Sequence, residues 1–294
     1  MSKINDVVEL RPPYITEEKL DRFFTLSLKE DLGDGDHSTL AVIPQNQQGK
    51  ARLLAKEEGA LAGVDLSQFI WKKLDPTLSY TYHFADGDMV KPGQVVFEIT
   101  GAIRSLLTGE RLVLNCMQRM SGIATKTRSL VEAIKDTGAK LLDTRKTTPN
   151  FRMLEKWAVH IGGGVNHRFG LFDMILLKDN HIDAAGGVEK AIKSTKDYLQ
   201  QTGKSLKIEV ETRNLEEVRE AVGTGMADVI MLDNMVPSMM REAVVIINGK
   251  TQVEASGNIT ENNIREVAET GVDFISVGAL THSYKSLDLS MKMV

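Results

Sequence analysis

The residues best suited to chemistry lie in one stretch of the chain, from Asp143 to His181. This stretch holds three of the chain's six histidines, although the chain as a whole has a net charge of −4. It also holds a group of cations: Arg145, Lys146, Arg152, Arg168 and Lys178. Several cations directed at one place repel each other unless an anion lies between them. The stretch therefore predicts a binding site for a ligand with more than one negative group.

Local signals indicate that these cations converge. The segments LLDTRKTTP and DMILLKDNH each read as a strand that runs into a loop, which places Arg145, Lys146 and Lys178 at the carboxyl ends of strands. Between them, the glycines at 162–164 allow the backbone to pass close to a ligand or a neighbouring segment. The tripeptide NHR at 166–168 follows after Val165 and adds two basic side chains.

Carboxylates end two further predicted strands. Glu209 and Glu211 alternate with period two along one strand and so face the same side, and the next strand ends in Asp233. A carboxylate at a strand end often caps the following helix. Two of them on adjacent strands, opposite a cationic cluster, fit ligands of sugar hydroxyls or of Mg²⁺. We therefore expect Glu211 and Asp233 to bind substrate or metal.

The last two predicted strands end in turns that contain glycine, and a helix follows each turn. Glycine lets backbone N–H groups face an anion, and the start of a helix adds its dipole. Phosphate bound after the final strands is also a recurrent arrangement in α/β barrels. We therefore expect a phosphate site made by Ser256, Gly257, Asn258, Gly278, Ala279 and His282.

Other polar residues have simpler interpretations. Arg111 lies in a helical segment, where the residues alone predict a local ion pair or a surface position. Arg152 and Lys156, spaced i and i+4 on a helix, are expected to form a solvated face. His160 and His181 are expected to be structural.

Periodicity predicts two domains around these residues. Thr16 is expected to cap a first helix that Gly33 ends, and residues 50–99 read as short strands with one helix. Residues 104–137 read as helix with interruptions near Gly109 and Gly122. Beyond it, apolar runs alternate with helical patterns, which means parallel pairing with right-handed crossovers. The runs are LLD, ILL, IEV, VIMLD, VEAS and FISVG.

The close spacing of these strands favours a barrel over an open sheet. We therefore predict an α/β fold with an incomplete, six- or seven-stranded α/β barrel at residues 119–282. An α+β sandwich domain is expected at residues 1–118. The segment 283–294 is expected to pack back on the first domain, with its last residues, DLSMKMV, as a short helix.

Composition narrows the class of protein. The chain has 294 residues, 42% hydrophobic and 26% charged, as soluble enzymes have. The acidic balance gives no reason to expect nucleic acid or membrane as a partner. The single cysteine, Cys116, excludes an intramolecular disulfide and is expected to be core packing. The first residues show neither an apolar core nor a cleavage site, so we predict a cytoplasmic protein.

An ordered set of motifs resembles the quinolinate phosphoribosyltransferase family. The motifs are ERLVLNCMQRMSGIAT, TRKTTP, LEKWAV, GGGVNHR, LLKDNHI, IEVET, MLDN, EASGNIT and SVGALTHS, which together cover most of the chain. The resemblance implies phosphoribosyl transfer from phosphoribosyl pyrophosphate to quinolinate with loss of CO₂. It also implies an N-terminal open-faced sandwich, an incomplete barrel, and a homodimer in which Arg111 reaches the partner's quinolinate.

On this interpretation, the residues divide between the two substrates. Arg145, His167 and Arg168 are expected to hold the quinolinate carboxylates, with Lys178 nearby. Phosphoribosyl pyrophosphate is expected to be bound by Lys146, Glu211 and Asp233 and by the predicted phosphate site. Lys146, Lys178, Glu211 and Asp233 are the expected catalytic residues, with Mg²⁺ on the two carboxylates and no organic cofactor.

Two other functions fit parts of the pattern. A barrel aldolase acting on a sugar phosphate would use Lys146 or Lys178 as a Schiff-base lysine, which needs a depressed pKa and a dry pocket. A non-catalytic sensor of pyridine carboxylates would need Glu211 and Asp233 for affinity alone, but the chain shows no output module.

Overall fold

The computed structural model describes residues 11–294. Over these residues the helices are α1 Glu17–Leu32, α2 His37–Val42, α3 Val64–Leu74, α4 Ile103–Ile134, α5 Arg152–Ile161, α6 Asp179–Ala185, α7 Val188–Thr202, α8 Leu215–Thr224, α9 Pro237–Ile247, α10 Ile264–Ala268 and α11 Ala279–His282. The strands are β1 Gln48–Ala55, β2 Gly59–Ala60, β3 Ser79–Tyr82, β4 Met89–Val90, β5 Val95–Ala102, β6 Lys140–Leu142, β7 Ile175–Leu177, β8 Ile208–Thr212, β9 Val229–Asp233, β10 Gln252–Ser256, β11 Phe274–Ser276 and β12 Leu289–Met293. The segment 1–10, on which the expectation of no targeting signal rests, lies outside the described residues.

The described chain divides into two compact units. The first holds residues 11–128, 148–163 and 284–294, and the second holds residues 129–147 and 164–283. None of the helices in residues 11–294 is both long enough and apolar enough to cross a membrane.

The first unit contains an antiparallel sheet with the strand order β12-β1-β5-β3. β1 buries Ala51, Leu53 and Ala55 at alternate positions, as a strand does when one of its faces lies on a core. The short strands and single helix predicted for residues 50–99 are confirmed. The first helix is confirmed as well, because the Thr16 side chain accepts a hydrogen bond from Lys19 N and Gly33 ends α1.

The prediction of a C-terminal helix is wrong. Residues Leu289–Met293 form strand β12, which pairs antiparallel with β1 so that Leu289 lies opposite Ala55. Leucine, methionine and lysine favour helix when considered locally. Backbone hydrogen bonds to the free edge of β1 outweigh that preference here, and such long-range pairing cannot be read from five residues.

Helix α4 is continuous, so the predicted interruptions near Gly109 and Gly122 are wrong. Both glycines instead permit close approach within the first unit. A Cβ on Gly109 would lie 2.4 Å from a ring carbon of Trp71, and one on Gly122 would lie 2.2 Å from the Lys285 carbonyl oxygen. The glycines therefore serve packing, which a helix tolerates at a cost of about 1 kcal/mol each.

Helix α5 also differs from expectation. Lys156, predicted to lie on a solvated face with Arg152, is completely buried, and Arg152 is half-buried. The i, i+4 spacing identifies a shared face but not what covers it. Burial from Leu154 to Val159 shows that α5 is enclosed on nearly all sides.

The second unit contains one parallel sheet of six strands, in the order β6-β11-β10-β9-β8-β7. All six strands were predicted as apolar runs, and the alternating helices are present. The mixed α/β class with an N-terminal sheet domain is thus confirmed. In a parallel sheet every strand ends at the same edge, so the residues that follow the six strands are brought together there.

Candidate functional site

A cavity of about 730 Å³ lies at the carboxyl ends of the six parallel strands. Every candidate site residue predicted in the second unit lines it: Arg145, Lys146, His167, Arg168, Lys178, Glu211, Asp233, Ser256, Gly257, Asn258, Gly278, Ala279 and His282. The remaining candidate, Arg111, lies on α4 in the first unit with an exposed side chain. Placement in the cavity is a finding, whereas the role of each residue stays a prediction.

The segment that carries His167 and Arg168 is fixed to the end of β6. Val165 forms a parallel bridge with Leu142, and its N–H donates to the Leu141 carbonyl. The buried Asp143 carboxylate accepts hydrogen bonds from Asn166 Nδ2 at 2.7 Å and from His167 N at 2.9 Å. The segment 165–168 is therefore held against the end of β6 by backbone and side-chain hydrogen bonds.

Four cationic side chains line this cavity, namely those of Arg145, Lys146, Arg168 and Lys178. The guanidinium of Arg168 donates to the Met174 carbonyl at 3.1 Å, and burial followed by the charge of Arg145 lowers the pKa of Arg168. The backbone at Lys146 is tied down by the Thr281 hydroxyl, which donates to the Lys146 carbonyl at 2.8 Å. Like charges held this close on a partly buried surface favour binding of an anion.

Lys178 Nζ lies 3.5 Å from Glu211 Oε2. Its side chain is 51% exposed, which is unlike the desolvated lysine that a Schiff-base enzyme needs. His181 is structural at this point, because its Nδ1 accepts a hydrogen bond from Lys178 N at the start of α6. The geometry thus disfavours the aldolase interpretation at Lys178.

Glu211 and Asp233 end the neighbouring strands β8 and β9. Burial raises the pKa of Glu211, Lys178 opposes this, and the charge of Asp233 raises it further. A cation between the two carboxylates would relieve that repulsion. Mg²⁺ prefers oxygen ligands and is usually held by one or two carboxylates plus substrate phosphates, so these residues fit it.

Asp233 is held by a chain of amide hydrogen bonds. Asn234 Nδ2 donates to Asp233 Oδ2 at 2.7 Å, and Asn258 Nδ2 donates to Asn234 Oδ1 at 2.9 Å. Asn234 and Asn258 both have positive φ, near 54° and 53°, in a region that asparagine tolerates better than other side chains. A Cβ on Gly257 would lie 2.2 Å from Asn234 Oδ1, which explains glycine between Ser256 and Asn258.

His167 lies at the floor of the cavity between two buried carboxylates. Its Nε2 is 2.9 Å from Glu209 Oε2 and 3.4 Å from Glu254 Oε2. Its Nδ1 accepts a hydrogen bond from Arg168 N at 2.8 Å. Both ring nitrogens are therefore engaged by protein atoms.

Family models place the chain among known proteins. The model described as "Quinolinate phosphoribosyl transferase, C-terminal domain" matches residues 123–292, and the model of the N-terminal domain matches residues 36–121. Together they cover most of the sequence. The chain belongs to the quinolinate phosphoribosyltransferase family.

Individual members of the quinolinate phosphoribosyltransferase family agree over nearly the whole length. The mitochondrial quinolinate phosphoribosyltransferase [decarboxylating] 2b of Nicotiana tabacum is 46% identical, covering 97% of this chain and 85% of the relative. A probable nicotinate-nucleotide pyrophosphorylase [carboxylating] of Bacillus subtilis is 45% identical, covering 92% and 91%. The crystal structure of NadC from Streptococcus pyogenes superposes with a TM-score of 0.90 at 43% identity, covering 95% of this chain and 98% of that one.

Sequence reasoning missed part of the site. Glu254 and Thr144 line the cavity but were not predicted, and Glu209 was predicted only as a companion of Glu211. A signal for Glu254 existed, because a charged residue between Val253 and Ala255 in a buried strand needs a buried partner. Nothing in the sequence named that partner as His167.

Proposed function

We propose that this protein transfers the phosphoribosyl group of phosphoribosyl pyrophosphate to the ring nitrogen of quinolinate. Loss of CO₂ then gives nicotinate mononucleotide, with pyrophosphate as the other product, as a step of NAD biosynthesis. The observation that carries the proposal is one cavity at the strand ends that is lined by four cations and by the carboxylates of Glu211 and Asp233. Membership of the family supports it.

We assign the quinolinate carboxylates to Arg145 and Arg168, with Lys178 nearby. A guanidinium presents paired N–H groups that match a carboxylate, and two carboxylates suit two such groups. Both nitrogens of His167 already contact protein atoms, so we assign it to the support of Arg168. Nicotinate lacks one carboxylate and would leave a partly buried cation unpaired. We expect a penalty of about 1.5–3 kcal/mol, or roughly 10- to 150-fold in kcat/KM.

Phosphoribosyl pyrophosphate is assigned to the rest of the cavity, with Lys178 between the two substrates. Lys146 and Lys178 offset the charge of the departing pyrophosphate, and Glu211 and Asp233 orient the ribose hydroxyls. We place the 5′-phosphate at the turns after β10 and β11, among Ser256, Gly257, Asn258, Gly278, Ala279 and His282. Mg²⁺ held by Glu211, Asp233 and the pyrophosphate would supply charge neutralisation on the leaving group.

The chemistry follows from the charges. The ring nitrogen is a modest nucleophile, so ribose C1 gains oxocarbenium character as pyrophosphate leaves, and the carboxylates of Glu211 and Asp233 favour that positive charge. Once the nitrogen is bonded to C1, the cationic ring holds the electron pair left at C2 when CO₂ departs, and a proton from water then adds to C2. Decarboxylation therefore follows transfer, and the quaternised ring itself is the electron sink. The C3 carboxylate takes the strongest guanidinium contacts, because ion pairs to the departing C2 carboxylate would slow its loss.

We further propose a homodimer in which Arg111 of one copy completes the quinolinate pocket of the other. The family resemblance implies this, and the exposed side chain of Arg111 leaves it available. Mixing the inactive variants Arg111→Ala and Lys146→Ala should restore activity by forming dimers with one intact site. A mixture that stays inactive after verified subunit exchange contradicts the shared site.

The single buried cysteine is consistent with the cytoplasmic location that we also propose.

The proposed function is tested by one incubation. The purified protein with quinolinate, phosphoribosyl pyrophosphate and Mg²⁺ should form nicotinate mononucleotide, CO₂ and pyrophosphate in equal amounts. Nicotinate in place of quinolinate serves as the matched control. Comparable kcat/KM for the two acids would overturn the pocket assignment, and binding without product would favour the sensor.

A further inference from the structure

Three buried titratable groups lie at the floor of the cavity, and the proposed reaction gives two of them, Glu209 and Glu254, no role. His167 is within contact distance of Glu209 on β8 and Glu254 on β10, although β9 separates those strands. The exposed fraction of the side chains is 8% for His167, 0% for Glu209 and 1% for Glu254. Within residues 11–294, no hydrogen-bond donor is found for Glu209 Oε1, Glu209 Oε2 or Glu254 Oε1, so the 2.9 Å approach of His167 to Glu209 Oε2 is a charge contact.

The hydrogen bonds define where the ring proton lies. Because His167 Nδ1 accepts the N–H of Arg168, the proton of a neutral imidazole must be on Nε2, which faces the carboxylates. An imidazole whose Nε2 carries its proton can bind a metal only through Nδ1, and here Nδ1 accepts the N–H of Arg168. The ligand atoms of His167, Glu209 and Glu254 lie within 4.8 Å of one another, but this proton assignment does not suit a metal.

The two carboxyl groups share a buried space that holds one strong donor. Burial raises the pKa of Glu209, contact with His167 lowers it, and the charge of Glu254 raises it again, with a net increase. Both carboxyl groups contact the same ring nitrogen, so the imidazole is held between β8 and β10.

The same histidine is hydrogen-bonded to the backbone of Arg168, one of the cations that line the cavity. Its Nδ1 fixes the N–H of Arg168, and the charge of Glu209 also acts on the Arg168 guanidinium. On the other side, Asp143 holds the N–H of His167. Arg168 is thus positioned through its own backbone by a ring that two buried carboxyl groups keep in place.

We propose that Glu209 and Glu254 are positioning residues that act through His167 to hold Arg168 in its anion-binding place. This inference rests on the proposed function, because it concerns the side of the cavity assigned to quinolinate. The pair acts on the ring and not on the substrate. Its two carboxyl groups orient the imidazole, and the imidazole orients the backbone from which Arg168 extends.

The test separates one amide substitution from two. Glu209→Gln leaves the Glu254 carboxyl group in contact with the ring, so the KM for quinolinate should stay within about threefold. Glu209→Gln together with Glu254→Gln removes both carboxyl groups that contact the ring. The KM for quinolinate should then rise at least about tenfold, which is about 1.4 kcal/mol, while the KM for phosphoribosyl pyrophosphate stays within about threefold.

Matched controls bond to the amino-terminal ends of the same two strands, opposite the carboxyl ends that carry the cavity. Asp228 accepts from Ile208 N at the start of β8, and Asp273 accepts from Val253 N at the start of β10. Asp228→Asn and Asp273→Asn repeat the chemical change and should leave both KM values within about twofold, since neither residue lines the cavity.

The outcomes are decisive. A double variant with unchanged quinolinate KM, equal losses for both substrates, or a single variant as impaired as the double one would each overturn the inference. If the double variant does not fold, His167→Leu removes the link alone, and an unchanged quinolinate KM in it is contradictory. Calorimetry measures the Kd of quinolinate for wild type and variants, and so tests the pocket independently of turnover. Failure of wild type to form product while the variants still lose quinolinate binding would sink the proposed function alone.

Discussion

Replacing Gly278 by alanine should damage the cavity without damaging the fold. Gly278 has φ −63° and ψ −30°, which any residue adopts. A Cβ there would lie 2.9 Å from Lys146 Cδ and 3.0 Å from His282 Nε2. Both contacts are side-chain atoms that line the cavity, so these side chains must move and the backbone need not.

The magnitude follows from these distances. Ordinary van der Waals contact between such atoms begins near 3.4 Å, so Lys146 Cδ must move by at least about 0.5 Å. The ammonium group lies further along the same side chain and can move by a larger distance. A misplacement of about 1 Å in a positioning group can cost about 100-fold. We expect kcat/KM for phosphoribosyl pyrophosphate to fall roughly 10- to 100-fold. The free energy of unfolding should rise by about 0.4–1 kcal/mol, because alanine restricts the unfolded chain.

Steady-state kinetics with each substrate varied, together with urea unfolding, measures both effects. Gly223→Ala is the matched control, since Gly223 lies in α8 and nothing is within 4 Å of its added Cβ. It should leave the kinetics unchanged and stabilise the helix by up to about 1 kcal/mol. Unaltered kinetics in Gly278→Ala would refute the assignment of Lys146, and a loss of stability would refute the steric reasoning.

Two further predictions concern single residues. Asn234→Gly keeps the positive φ but removes the amide that holds Asp233. The kcat should therefore fall about tenfold, while the free energy of unfolding changes by less than about 1 kcal/mol. Full activity of this variant would show that Asp233 needs no such support. Burial raises the pKa of the Cys116 thiol to about 12. The native protein at pH 8 should therefore not react with a disulfide reagent until guanidinium unfolds it. Rapid reaction of the native protein would contradict the burial of Cys116.

The elements of the second unit were predictable because each left a local signature. The six strands are short apolar runs, and Glu211, Asp233 and Ser256 follow or end them at one edge. Parallel pairing brings such ends together without any knowledge of register. That is why the residues predicted for the second unit line a single cavity.

What sequence reasoning missed depends on long-range contacts. The meeting of Glu209 with Glu254 requires two strands separated by β9 to direct side chains at one point, and the path of the sheet is not encoded locally. The burial of Lys156 depends on what encloses α5. The pairing of β12 depends on the open edge of β1, more than two hundred residues earlier in the chain.

The order of the chemistry gives the most direct test of the proposed function. Quinolinate labelled in its C2 carboxyl group should release labelled CO₂ only when phosphoribosyl pyrophosphate is present, with one CO₂ for each pyrophosphate. The unquaternised ring lacks a comparable electron sink, so omission of the sugar donor should leave release at the background level. Release at the full catalytic rate without the donor would contradict decarboxylation after transfer.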